Sequence, residues 1–248
     1  MSLILNTLIF AKDVENGTSQ VSLLECASKL GAYGVEVRRE YFKDIKNELS
    51  DVARRANEDG LKLYYSVPDV IFEEDGSLNP KITQYFSEGE TMGIKKIKFN
   101  IGHFDRFTGN LKKVLGELPI DKIEMNVEND QTQISGSVSS LLTFLKAVKE
   151  NNIDIGYVYD LGNWAFTEQD AVDSAKALAT YTRYIHLKNI VSSNGSLSTS
   201  ADLNNGIFDW KKVLTYLPNN VDLALEYPID TDEQIKSQMN IVKTLEES

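Results

Sequence analysis

Four residues at the ends of separate β-rich runs have types suited to chemistry: Glu128 in VENDQ, Asp160 in YVYDLGN, His186 in YIHLKN and Glu226 in LALEYP. Together they offer three carboxylates and one imidazole, a donor set that neutralises and coordinates a divalent ion. Three oxygens and a nitrogen suit Mn and Mg and tolerate Co or Zn, with Mn ranked first. Taken singly, each has an ordinary reading: Glu128 as a helix cap, Asp160 as a loop-entry residue, Glu226 as a strand-end charge, His186 as a hydrogen-bonded core histidine. Their joint placement favours a shared role, because gathering three anions in one mouth is costly unless a cation joins them.

The elements that must position these groups follow from the pattern of the whole chain. Short β-rich runs alternate with longer amphipathic segments, the mark of βα units and a parallel sheet. Strands are expected near residues 3–10, 34–39, 61–68, 94–101, 121–128, 154–160, 182–188 and 221–227. Segments such as SLLECASKLGAYG, DIKNELSDVARRANEDG and SSLLTFLKAVKEN carry apolar residues at helical spacing. The first two end in Gly, as helices often do, and Thr231 and Gln234 have capping-box spacing. The expectation is an α/β fold, a (β/α)8 TIM barrel, in a single domain over residues 1–248. Residues 192–206, SSNGSLSTSADLNNG, are longer than the usual ~2 to 6 residues of such a connection. They read as either a disordered surface loop or a substrate-covering lid.

Alternation within the strands adds a second clue, since successive side chains point to opposite faces. Glu124, Asn126 and Glu128 share one face and Ile123, Met125 and Val127 the other. Glu36 and Arg38 oppose Val35 and Val37; Lys98 and Asn100 oppose Ile97 and Phe99; His186 and Lys188 oppose Ile185 and Leu187. If the apolar sets pack under helices, the polar sets point into the barrel, where unpaired charge is expensive and each group needs another or a ligand.

Composition excludes several classes of partner. A formal net charge of -11 and a pI near 4.8 repel phosphate backbones and anionic lipid surfaces, so neither nucleic acid nor membrane is expected. Cys26 is the only cysteine, which rules out an intrachain disulfide and a cysteine-based zinc site. The opening MSLILNTLIF lacks a basic region before it and reads as a strand, and no stretch approaches the ~20 apolar residues of a membrane span. The cytoplasm is the expected compartment. GNLKKVLG lacks the lysine-serine ending of a phosphate loop, and neither Gly-x-Gly-x-x-Gly nor Gly-x-Ser-x-Gly occurs.

Over nearly its whole length the chain resembles the xylose isomerase-like superfamily of sugar phosphate isomerases, epimerases and related lyases. The resemblance rests on VEND at 127–130, DLGN at 160–163, HLKN at 186–189, NNGIFDW at 204–210 and LEYP at 225–228. It implies that Glu128, Asp160, His186 and Glu226 bind the metal and that Glu36, His103, Asn163 and Lys188 line the substrate pocket. The sequence departs from the ketose epimerase pattern in two places: Asn163 stands where many members have histidine, and IVSSNGS lacks the arginine that follows HLKN. A metal bridging a carbonyl and an adjacent hydroxyl stabilises an enediolate, with Glu128 and Glu226 placed to act as base and acid. The first expectation is therefore a metal-dependent isomerase or epimerase acting on a small sugar or polyol-like substrate in carbohydrate metabolism. A lyase that dehydrates a cyclic polyol or keto acid is the alternative, and a non-catalytic sugar-binding barrel a third. A homo-oligomer built through helices or loops stays open.

Overall fold

The side of each strand that carries apolar residues fixes which way the sheet must curl. In the computed structural model, which describes residues 2–245, eight parallel strands close into a barrel. They are β1 (Leu3–Asn6), β2 (Gly34–Arg38), β3 (Lys62–Phe72), β4 (Lys96–Gly102), β5 (Glu124–Glu128), β6 (Ile155–Asp160), β7 (Thr182–Leu187) and, after the hairpin β8 (Ile190–Ser193) and β9 (Ser196–Thr199), β10 (Asp222–Leu225). The ring runs β1-β10-β7-β6-β5-β4-β3-β2. Val35, Val37, Ile97, Phe99, Met125, Val127, Ile185 and Leu187 all join one buried core with helix residues such as Leu23, Val52, Leu141, Phe144 and Met239. Each such side chain contributes roughly 1.5–3 kcal/mol by leaving water. Inside the barrel the apolar layer is thin: Ile4, Tyr64, Val158, Tyr184 and Ala224.

That layer divides two polar clusters. At the strand N-termini, Lys96 Nζ donates to Glu124 Oε1 and to the Arg183 carbonyl, both at 3.1 Å. Asn126 Nδ2 also reaches Glu124 Oε1, at 2.9 Å. Tyr64 OH donates to Asp222, and Arg183 pairs with Asp154. The other cluster lies at the strand C-termini, where barrel active sites are built.

Two sequence expectations are corrected here. Residues 3–10 are not one strand: the Asn6 side chain accepts from Leu8 N at 2.9 Å and turns the chain into a 3-10 helix, Thr7–Phe10, followed by the short helix Ala11–Glu15. Asn competes with the sheet by bonding its own backbone two residues on. Residues 192–206 are not a structureless loop. Their first part belongs to the antiparallel β8–β9 hairpin, closed by Asn194 and Gly195 with φ of 50° and 80°, as a two-residue type I′ turn requires. The return segment is tied to Asn189, whose Oδ1 accepts from Ile190 N and Phe208 N and whose Nδ2 donates to the Leu203 and Phe208 carbonyls. Gly206 lies against that side chain so closely that a Cβ there would sit 2.3 Å from Asn189 Cγ. Among the described residues, no helix is long and apolar enough to cross a membrane.

Candidate metal centre

Parallel register brings the four strand-end residues to one level. Asp160 closes β6 opposite His186 of β7, and His186 stands opposite Ala224 of β10, two residues before Glu226. Glu128 closes β5 opposite Val158. Asn129 then stitches β5 to β6: its Oδ1 accepts from Asp160 N at 2.9 Å and its Nδ2 donates to the Asp160 carbonyl at 2.8 Å. One ligand atom from each of Glu128, Asp160, His186 and Glu226 lies within 4.8 Å of the others, and all four residues are buried. Donors on opposite sides of one ion with bonds of about 2.0–2.2 Å stand roughly 4–4.5 Å apart, so the cluster has the span of a single-ion site.

Unpartnered atoms argue the same way. Glu128 Oε1, Asp160 Oδ2 and His186 Nε2 are buried without a hydrogen bond. Each has a charged or ionisable neighbour close by: His186 Nδ1 is 2.7 Å from Glu128 Oε1, Lys188 Nζ is 2.7 Å from Asp160 Oδ2, and Glu36 Oε2 is 2.8 Å from His186 Nε2. These contacts are short but out of line for hydrogen bonding. Native proteins seldom leave buried polar atoms in that condition. A divalent ion, which takes oxygen and imidazole donors, accommodates the Glu128 and Asp160 oxygens with Nδ1 of His186, the nitrogen that faces Glu128 and Glu226, so the residues fit the metal that the sequence implies.

The electrostatics show how strained the cluster is without one. Burial alone would raise the Glu226 carboxyl, yet Lys98, His186 and Lys188 hold it well below the ordinary carboxylate range. Glu128 behaves similarly: burial and Glu226 would raise it, but Lys98 and His186 together lower it. Asp160 goes the other way. Burial, with Glu226 and Glu128 adding to it, pushes its carboxyl up to about 7 in spite of Lys188. The His186 imidazole is also buried, which favours its neutral form, but Glu36, Glu226 and Glu128 raise its pKa well above the usual value. The cluster thus keeps protons that a divalent ion would displace.

A cavity of about 390 Å³ opens onto Glu128 and Glu226 and is bordered by Asn163 and Lys188. Asn163 N donates to Asp160 Oδ1 at 3.0 Å and its Nδ2 donates to the Asn129 carbonyl at 2.7 Å. Lys188 contacts Asp160 and, at 3.4 Å, Glu226. Gly162 makes room for that lysine, since a Cβ there would lie 2.6 Å from its Cγ. Glu36 does not border the cavity. It sits behind the imidazole, 1% exposed, held by Asn6 Nδ2 at 3.0 Å and Tyr184 OH at 3.2 Å. His103 is not brought to the cluster either; it borders a separate cavity of about 430 Å³ with Phe104, Arg106 and Ile134. That cavity is larger, but it contains none of the four clustered residues. Three groups on the wall of the smaller cavity were not singled out as site residues from the sequence: Arg38, Lys98 and the buried, unpartnered Ser66 Oγ. For Arg38 and Lys98 the inward face of their strands was the signal.

Barrel and cluster together define a (β/α)8 protein with a candidate divalent-metal centre at its C-terminal mouth. Solved structures agree on the architecture. The chain is similar to the probable 3-DHS dehydratase AsbF of Bacillus anthracis, at 15% identity over 98% of this chain and 99% of that one, with a TM-score of 0.75. It is similar to D-psicose 3-epimerase of Clostridium cellulolyticum H10, at 11% identity over 98% and 99%, TM-score 0.69. It is also similar to the IOLI protein solved with a zinc atom, at 14% identity over 98% and 96%, TM-score 0.67. Xylose isomerase domain proteins are among the further matches, and the chain shares the (β/α)8 TIM barrel fold of these structures. No family model and no curated protein matches the sequence.

Proposed function

We propose that this chain is a divalent-metal-dependent enzyme that moves a proton beside a carbonyl of a small polyhydroxylated substrate, as an isomerase or epimerase does. The observation that carries this reading is the set of unpartnered atoms, Glu128 Oε1 and Asp160 Oδ2 among them, in a four-residue cluster that opens onto a cavity. Glu128, Asp160, His186 and Glu226 would hold the ion, with Mn ranked first among the metals this donor set suits. A bound divalent ion supplies positive charge beside a substrate carbonyl and its neighbouring hydroxyl, where negative charge develops as the proton leaves.

The chain's own groups do the rest. Glu128 and Glu226 are both held ionised and both border the cavity, so either can accept a proton and return it. Glu36 Oε2 lies 2.8 Å from Nε2 of His186, behind the ring whose Nδ1 faces Glu128 and Glu226, the place from which an outer carboxylate orients a ligating histidine. Ser66 lies on the cavity wall with its buried Oγ unpartnered. A second reading, a lyase that dehydrates a keto acid, is supported by the cationic side chains on the same wall and by Asn163 in place of a titratable residue.

The test begins with the metal content of the purified protein beside His186→Ala and Glu226→Gln, followed by a sugar, polyol and keto acid panel with added Mn. Stoichiometric metal in the native protein and its loss in His186→Ala are expected. An isobaric product marks the isomerase and a conjugated, ultraviolet-absorbing product the lyase. Metal without turnover of any kind leaves a binding barrel, and no divalent ion under any condition ends the metal reading.

A further inference from the structure

Three cations, Arg38 of β2, Lys98 of β4 and Lys188 just after β7, converge on one carboxylate. Arg38 Nη1 is 3.0 Å and Lys98 Nζ 3.5 Å from Glu226 Oε1, while Lys188 Nζ is 3.4 Å from Glu226 Oε2. Asn6 Nδ2 and His186 Nδ1 approach the same group at 3.1 and 3.0 Å. One negative charge cannot balance three positive ones. Lys98 and Lys188 share further partners in Glu128 and Asp160, which are themselves the residues assigned to the metal. Arg38 has Glu40 on its other side, Nε to Oε1 at 2.6 Å. Asp130, the remaining acid on the wall, is turned to Thr132, whose N and Oγ1 reach its Oδ1 at 2.7 and 2.6 Å.

The side chains of Arg38, Lys98 and Lys188 are 17%, 9% and 10% exposed, against 7% for Glu128, 3% for Glu226 and 0% for Asp160. All three border the cavity, beside Glu128, Asp130 and Glu226; with Glu128, Asp160 and Glu226 assigned to the ion and Asp130 turned to Thr132, the cations are the charges on this wall left for a ligand. A desolvated cation gains most from an ionised acceptor, and a neutral sugar offers none.

We propose that the substrate carries a carboxylate, received by Arg38, Lys98 and Lys188. The inference rests on the reading of this cavity as the active site. The wall fits a carboxylate better than a phosphate: no glycine borders the cavity, and phosphates favour glycine-rich backbone cradles. A sugar acid and a hydroxylated keto acid both meet this description, so the carboxylate is common to the isomerase and lyase readings.

Calorimetry on the Mn-treated protein tests it with matched pairs, D-gluconate against D-glucitol and D-galacturonate against D-galactose, with D-galactose 6-phosphate as a separate arm. At least one acid should bind about tenfold or more tighter than its neutral partner, the scale of a charge-assisted hydrogen bond. That advantage should fall to about threefold or less in Lys98→Met and in Arg38→Met, the latter being the rim variant that keeps the test valid if Lys98→Met melts early. It should also shrink between about 50 and 300 mM salt. Equal or tighter binding of the neutral partner, tightest binding of the phosphate, or no detectable binding by either acid overturns the proposal. Mn content measured on the same samples separates the two failures: metal without acid preference ends this inference alone, and acid preference without metal ends the metal-enzyme reading alone.

Discussion

At the N-terminal end of the barrel, Lys96 is shared between Glu124 and a carbonyl, Asp222 accepts from Tyr64, and at the exposed rim Arg183 pairs with Asp154. At the C-terminal end, Glu36, Glu128, Asp160 and Glu226 crowd around one imidazole and three cations, and buried atoms of Glu128, Asp160 and His186 lack a directed hydrogen bond. Both clusters are polar groups inside a barrel, separated by a thin apolar layer. At the lower end every charged group has a partner in line, and the unpartnered atom there is the neutral Asn126 Oδ1. Polarity inside a barrel is therefore a weak sign of function, while charge left without a directed partner is a strong one.

The sharpest way to break this comparison is to alter a group that both holds the ion and faces the cavity. Glu128→Gln is expected to lower turnover by about 10²–10⁴-fold, the range for loss of a positioned acid or base, with reduced Mn content in the same preparation. Unchanged turnover would remove Glu128 from the chemistry. Behind the cluster, Glu36→Gln should weaken Mn binding about 10–100-fold, as loss of an outer partner of a ligating histidine does, and a chelator competition titration reads this directly.

Acidity distinguishes the two ends next. In the metal-free protein the Asp160 carboxyl is raised to about 7, so in the folded state it holds a proton that the unfolded chain releases near the ordinary carboxylate value. Stability from this group is fully present at low pH and is lost as pH rises from about 4 to about 7. Relative to Asp160→Asn, the metal-free native protein should lose about 3 kcal/mol between pH 5 and pH 8 in urea unfolding, and Mn should abolish the difference in slope. A flat comparison would show that Asp160 ionises normally. The smallest effect belongs to the lower end: Lys96→Met should cost about 1 kcal/mol of stability with Mn content unchanged. Loss of metal in that variant would erase the distinction between the clusters.

Much of this was legible in the sequence, for reasons that also explain the misses. Period-2 alternation places Glu36, Lys98, Glu128 and His186 inward without any structure, because a parallel strand under helices must turn its apolar side out. Their mutual contacts were not legible, since register between strands distant in sequence decides that Arg38, Lys98 and Lys188 all meet Glu226. The end of β1 was missed because Asn6 sits within an apolar run, and its bond to Leu8 outweighs that pattern. The β8–β9 hairpin had a signal, Asn194-Gly195, that serine-rich flanks without clear alternation concealed. His103 was drawn in by family resemblance, and the structure sets it in the neighbouring cavity with Phe104.

The hairpin has a bearing on how such a protein diversifies. Its tip, Asn194-Gly195, is an exposed two-residue turn, its base is clamped by Asn189, and its last residue, Thr199, borders the cavity. A loop tip of that kind tolerates insertion, whereas the clamp and the strand ends do not. Rewriting the second strand of the hairpin, which ends at Thr199, would alter the cavity wall while the four clustered residues stay on the barrel. The hairpin is thus a piece of the cavity wall that can vary apart from the barrel strands that carry the buried cluster.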